Sequence, residues 1–224
     1  MDEADRSPTS SRIRIDLISD VVCPWCVIGF RQLETALHQV GQRAEVMWHP
    51  FELNPGMAPE GENLGEHLAR KYGTSAEESR DARNRLTAIG AALGFRFDYA
   101  EDMRVYNTFR AHQLLHWAAM SGHQHALKLD LFETFFTNRQ NVDDPAVLAD
   151  SAARVGLDRD EALAVLADGR YAEPVREETE AWRARGIEGV PAVIFNKRHL
   201  ASGARGTENF VTILRQLAAE GGTS

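Results

Sequence analysis

Two cysteines three positions apart, Cys23 and Cys26, sit where the hydrophobic period of the chain changes. Before them, Arg12 to Ser19 reads RIRIDLIS. Ile13, Ile15 and Leu17 alternate with Arg12, Arg14 and Asp16, which predicts a strand with one buried face. After them, Val27, Phe30, Leu33, Leu37 and Val40 recur every three or four residues, which predicts a helix that Gly41 ends. Pro24 suits the first turn of that helix, where its missing N–H has no partner in any case. The Cys-Pro-Trp-Cys run therefore opens a helix that follows a strand, and both sulfurs belong to a helix N-terminus.

The remaining pattern describes a sheet interrupted by helices. Ala44 to Leu53 reads as a second strand, with Pro50 demoting its later part to an edge or a bulge. Asn54 to Gly61 is turn material. Helical segments are expected near 63–72, 75–93, 107–121, 124–138, 144–155, 158–168 and 172–185, with breaks at glycines and at Asp143-Asp144-Pro145. Strand signals return at Val190 to Phe195, Asn196-Lys197 reads as a hairpin turn, and Arg198 to Ser202 as the return strand. A closing helix is expected over Gly206 to Ala219. A βαβ unit and a ββα unit at opposite chain ends can share one four-stranded sheet, so the fold class is α/β with a large helical insertion. The expected division is 12–61 and 186–219 for the sheet domain, 62–185 for the helical insertion, and 1–11 and 220–224 for flexible tails.

Composition closes off several classes. A hydrophobic fraction of 43% with 17 Gly, 8 Pro and two Cys excludes a disordered, collagenous or disulfide-stapled chain. A formal charge of −8 argues against general nucleic-acid binding. No stretch approaches the ~20 apolar residues that cross a bilayer, so no membrane partner is expected. The first twelve residues are polar, without the apolar block of a secretory signal. A cytoplasmic location is expected, where thiols stay reduced.

A C-x-x-C near a βαβ pattern is a redox pair or half of a metal site. Structural zinc wants four ligands, and there is no other cysteine, so no metal is assigned. The helix N-terminus favours a thiolate at Cys23, and Cys26, one turn on, can resolve a mixed disulfide. Two inert buried thiols are the bland alternative, though Pro24 and Trp25 between them are unlike core filling. His112 and His116 are four apart on an expected helix, with His123 and His125 following; without a carboxylate motif they read as packed or surface residues rather than ligands. Trp48, Phe51, Trp117 and Trp182 read as core or pocket wall. Asp20 could accept a proton from the resolving thiol or cap a turn. Glu77, Glu78, Arg80, Asp81, Arg83 and Arg85 read as a solvated helix face. Neither nucleotide-binding glycine motif is present.

The stretches DVVCPWC, PFELNP and GVPAVIF resemble the DsbA-like branch of the thioredoxin superfamily, and NTFRAHQLLHWA is similar to its FrnE-like subgroup. The resemblance runs from Ile13 to Leu217. It implies a thioredoxin fold and thiol–disulfide exchange, with Cys23 as nucleophile, Cys26 as resolving thiol and Pro24 tuning the pair. It also implies a cis Val190–Pro191 bond facing the cysteines, with Trp25, Val190 and Pro191 binding a disulfide-containing protein or a small thiol substrate. No resident cofactor is implied, with glutathione a candidate redox partner. In a reducing cytosol, reduction or isomerisation is expected over oxidation. Some members of the subgroup carry a second cysteine pair; none lies within these 224 residues. Two other readings stay open. Relatives similar to 2-hydroxychromene-2-carboxylate isomerase and the kappa glutathione transferases act on small molecules with glutathione, typically with serine where Cys23 stands; Asn54-Pro55 could belong to such a pocket. A non-catalytic redox-sensing module is the third.

Overall fold

The computed structural model describes residues 12–221. In chain order the elements are β1 (Ile13–Ser19), α1 (Pro24–Val40), β2 (Ala44–Pro50), β3 (Glu62–Asn63), α2 (Leu64–Tyr72), α3 (Ala76–Ala92), β4 (Arg104–Val105), α4 (Phe109–Ala119), α5 (Gln124–Phe136), α6 (Pro145–Arg154), α7 (Arg159–Asp168), α8 (Ala172–Ala184), β5 (Ala192–Phe195), β6 (His199–Ser202) and α9 (Thr207–Gly221). The main sheet has the order β2-β1-β5-β6. β1 runs parallel to β2 and antiparallel to β5, and β5 antiparallel to β6. This is the mixed four-stranded sheet of a thioredoxin fold, with a helical insertion between its halves.

The sheet is buried on both sides. Ile13, Ile15 and Leu17 share a cluster with Val27, Phe30 and Leu33 of α1 and Phe210 and Leu214 of α9. Burying each such side chain stabilises the fold by about 1.5–3 kcal/mol. Ile18 points the other way, into a second cluster with Phe51, Trp182 and Ile187. Asp16 shares that second side and is also buried, its carboxylate held by Arg14 at 2.7 Å and by His49 at 2.9 Å. The expectation that β1 buries one face is therefore corrected. Alternation marked Asp16 as solvent-facing, but α8 covers that side and Arg14 and His49 hold the carboxylate.

Boundaries shift for physical reasons. β2 ends at Pro50 rather than Leu53, since proline has no N–H to give the ladder. β5 begins at Ala192, leaving Val190 in the preceding loop. α9 continues to Gly221, two residues past the expected end, so residues 220 and 221 are helical rather than tail. The tail assignments over 1–11 and 222–224 lie outside the described residues. β3 and β4 pair antiparallel over two residues within the helical block, too short to leave a periodic trace. The β5–β6 turn carries Asn196 and Lys197 at φ 47° and 59°, the left-handed pair a tight hairpin requires.

Candidate functional site

β1 delivers the chain to the N-terminus of α1. Cys23 is the N-cap, Pro24 occupies the first turn, and no side chain caps the helix or puts an acid in that turn. The partial positive charge of the helix end is thus left to the sulfurs. The Cys26 N–H donates to the Cys23 carbonyl at 3.1 Å, which closes the first turn and stacks the two residues. Both cysteines are free thiols and buried, whereas Trp25 between them is 48% exposed. The Cys23 sulfur lies 3.8 Å from the Val190 carbonyl oxygen. The Val190–Pro191 bond is cis. Helix α1 meets this loop at Gly29, where a Cβ would stand 3.2 Å from the Pro191 ring. Cys23, Trp25, Val190 and Pro191, far apart in sequence, thus converge at one end of the sheet.

The electrostatics differ from the simple helix-dipole expectation. The Cys23 thiol is pushed well above its ordinary range by its hydrogen bond with Cys26, by burial and by the Asp20 carboxylate. Burial also pushes Cys26 up, but hydrogen bonds from Cys23 and Ser19 and the charge of Lys128 outweigh it and hold this thiol below its usual range. Of the two sulfurs, the surroundings therefore favour negative charge on Cys26 over Cys23. The helix end by itself favours a thiolate at Cys23, and the charge it leaves out is that of Lys128.

Lys128 is the residue that sequence reasoning missed. It comes from α5, is 1% exposed, and its ammonium lies 5.4 Å from the Trp48 ring centre and 5.0 Å from that of Phe132. Burial pushes it down to about 8, against the upward pull of Cys26, Asp20 and Cys23. A signal existed: Lys128 shares a helical stripe with Leu131, Phe132 and Phe135, and a lysine in an apolar stripe is seldom buried without a charge to answer.

Asp20 is fully buried. One oxygen accepts the Leu53 N–H at 2.8 Å and the other lies 3.4 Å from His112 Nε2. Burial raises the Asp20 carboxyl, but His112, the Leu53 N–H and Lys128 together keep it below its ordinary value, so it is a carboxylate. It ties the end of β2 to the cysteine turn instead of capping that turn. His112 Nε2 is also 3.1 Å from the Phe51 carbonyl. His116 lies 3.8 Å from Glu178, His125 accepts the Trp48 indole N–H at 3.0 Å, and His123 pairs with Ser121. The four histidines thus share no partner. Among the described residues no group of three or more His, Cys, Asp and Glu could hold a metal ion.

A cavity of about 340 Å³ opens beside Cys23. Cys23, Pro24, Trp25 and Val190 line it, whereas Cys26 does not. Its opposite wall comes from the helical block, with Leu64 and Leu68 of α2, Leu86 of α3, and Phe135 and Phe136 of α5. Of the charge run, Glu77, Glu78, Arg80, Asp81 and Arg85 are exposed as expected, but Arg83 is half-buried and lines the cavity with Ser79. Spacings of four and three residues carry Ser79, Arg83 and Leu86 to the same side of α3. Asn54 lines the cavity as well, accepting from Lys71 at 2.8 Å.

Known proteins share the fold that carries these residues. Residues 14–215 match the family model of the DSBA-like thioredoxin domain. The chain is similar to a probable DsbA oxidoreductase from Streptomyces coelicolor, with 34% identity, a TM-score of 0.85, and 92% of this chain and 89% of that one covered. At 14% identity its fold is similar to a 2-hydroxychromene-2-carboxylate isomerase, with a TM-score of 0.70 over 93% of this chain and 98% of the other. At 17% identity it is similar to the cytosolic disulfide reductase DsbM from Pseudomonas aeruginosa, solved with glutathione, with a TM-score of 0.60 over 91% and 98%. No helix among the described residues is long and apolar enough to cross a membrane. With a thioredoxin sheet, a helix opened by Cys23 and Cys26, and a family match over nearly the whole chain, this protein belongs to the DsbA-like thioredoxin-domain family of thiol oxidoreductases.

Proposed function

We propose that the chain is a dithiol–disulfide oxidoreductase that works in the reducing direction, with Cys23 as attacking sulfur and Cys26 as resolving sulfur. The observation that carries this reading is the split between the two thiols: Cys23 lines the cavity and Cys26 stands behind it. The cycle starts from the ionised pair in which Cys23 is the thiolate and Cys26 keeps its proton. The Cys23 thiolate, held by the helix N-terminus, attacks one sulfur of a substrate disulfide R–S–S–R′. A Cys23–S–R bond forms and R′–S⁻ leaves. The Cys26 proton passes to that leaving group, and Cys26 then attacks Cys23 and releases R–S⁻. Two electrons move from the protein dithiol to the substrate, and the one proton of the pair ends on a product thiol. Lys128 supports the negative charge while it is on Cys26. Trp25, Val190 and Pro191 form the rim on which a substrate lies.

The Cys26→Ser variant tests the order of attack. Treated with a substrate disulfide, it is expected to accumulate a mixed disulfide on Cys23 alone, read by intact mass and peptide mapping. Cys23→Ser is expected to lose turnover. Undiminished turnover in Cys23→Ser would overturn the reading. A glutathione-dependent isomerase on this fold gains support only from the cavity size, since the intact dithiol is what an exchange enzyme needs and a glutathione-binding isomerase does not.

A further inference from the structure

The cavity beside Cys23 has a composition unlike that of the whole protein. The chain carries a formal charge of −8, yet no Asp or Glu lines this cavity, while Arg83, Lys71 and His67 do. Two of these three are engaged elsewhere. His67 meets Glu62 at 2.8 Å and Asn54 at 3.0 Å, and Lys71 donates to the Leu53 carbonyl and Asn54 at the mouth. Arg83 pairs with no carboxylate among the described residues; its Nε donates to the Ser79 carbonyl at 3.3 Å.

Beside it, the Ser79 hydroxyl and the Tyr99 hydroxyl are buried with no hydrogen-bond partner. Ser79 is 3% exposed. Buried hydroxyls left unpaired are costly, so two in one cavity wall point to a ligand that pairs them. Tyr99 is pushed up by burial and by Cys23, so it keeps its proton and donates. One guanidinium and two O–H donors around an apolar chamber are a receptor for an acid group on an apolar body. The volume, about 340 Å³, suits a small molecule.

We propose that the substrate taken here is a small organic disulfide with an apolar, ring-sized body and a carboxylate, the body against Leu64, Leu86, Phe135 and Phe136, the carboxylate on Arg83, Ser79 and Tyr99, and one sulfur at Cys23. This rests on the exchange reading above and names its substrate class. The chemistry is that of the cycle already described: the disulfide is reduced by two electrons to two thiols, the Cys23–Cys26 dithiol becomes a disulfide, and no further reactant enters a single turnover.

The test uses the reduced full chain and two probes, dithiobis(nitrobenzoate), an aromatic disulfide with a carboxylate on each ring, and dithiodipyridine, its uncharged counterpart. Single-turnover rates are followed by the released chromophore, and the protein product is checked by mass. The wild type is expected to saturate with the charged probe. Arg83→Gln should lower the ratio of charged-probe to neutral-probe rate about ten-fold, Tyr99→Phe should lower it a few-fold, and Arg83→Lys should restore most of it. An unchanged ratio in both Arg83→Gln and Tyr99→Phe, with the internal disulfide still forming, overturns the substrate assignment and leaves the exchange reading intact. Failure of the wild type to form the Cys23–Cys26 disulfide with either probe overturns the exchange reading and the assignment with it.

Discussion

The sheet half and the helical block contribute different things to one site. β1, α1 and the loop before β5 supply the sulfurs and the Val190 carbonyl, all fixed by backbone geometry at the end of the sheet. The helical block supplies side chains: Lys128 from α5, His112 from α4, Ser79 and Arg83 from α3. The first set decides which reaction is possible. The second decides how the charge is shared and what fits. Reactive groups are close in sequence and legible as a motif, whereas tuning groups arrive from distant helices and carry no motif at all.

The largest expected effect asks whether the block's shape is as fixed as the sheet's. In α3, a Cβ on Gly90 would stand 2.4 Å from the Phe97 ring, inside the aromatic cluster of Phe95, Phe97, Tyr99 and Phe136. Gly90→Ala gains helix propensity of about 1 kcal/mol but overpacks that cluster, so a net loss of about 1–2 kcal/mol is expected in urea unfolding. Gly29→Ala in α1 meets Pro191 only at 3.2 Å, and a smaller loss is expected. Equal losses would mean that the two regions are equally tight.

A smaller effect sharpens the division between reaction and tuning. Lys128→Met keeps the volume and removes the charge. Without that cation the first ionisation of the cysteine pair should move up by about one pH unit, a roughly ten-fold slower alkylation at neutral pH. The pH profile of iodoacetamide reaction reads it directly. An unmoved profile would show that the helix N-terminus tunes the pair alone. In the wild type, raising the pH through about 8 discharges Lys128 and weakens the same support.

The smallest effect concerns the tie between the two regions. Glu178 of α8 meets His49 of β2 at 2.5 Å and His116 of α4 at 3.8 Å. Burial pushes its carboxyl up, but the two histidines outweigh this and bring it down to about 2. A carboxylate depressed on folding stabilises the native state above its unfolded value of about 4.3, and that contribution is lost as pH falls towards 2. Glu178→Gln should cost about 1 kcal/mol near neutrality and flatten the acid limb of stability against pH. An acid limb as steep as that of the wild type would show that other carboxylates set it.

Much of the fold was legible because turns and periods are local. The seven helical segments between Asn63 and Arg185 fall within a few residues of α2 to α8, since glycines at positive φ end several of them. The two-residue strands β3 and β4 were not legible, and neither was the second buried face of β1, where Asp16 looks solvated until Arg14 and His49 close on it. The cysteine pair and the Val190–Pro191 loop were legible, one from spacing and the other from resemblance. Lys128 and Arg83 were not, because each is one charged residue on a helix whose inward side only tertiary packing defines.

The sheet order has a consequence for synthesis. β1 lies between β2, its near neighbour in the chain, and β5, with Ile15 opposite Phe195. The parallel β1–β2 pair can assemble early, but one edge of β1 stays open until β5 has been made. At 5–20 residues per second, that interval lasts roughly ten to thirty seconds. During it the Val190 loop does not yet exist, and the half-built site is a bare dithiol on an open sheet edge. The nascent chain is therefore most vulnerable to oxidants and to wrong strand pairing until β5 and the Val190 loop before it have emerged.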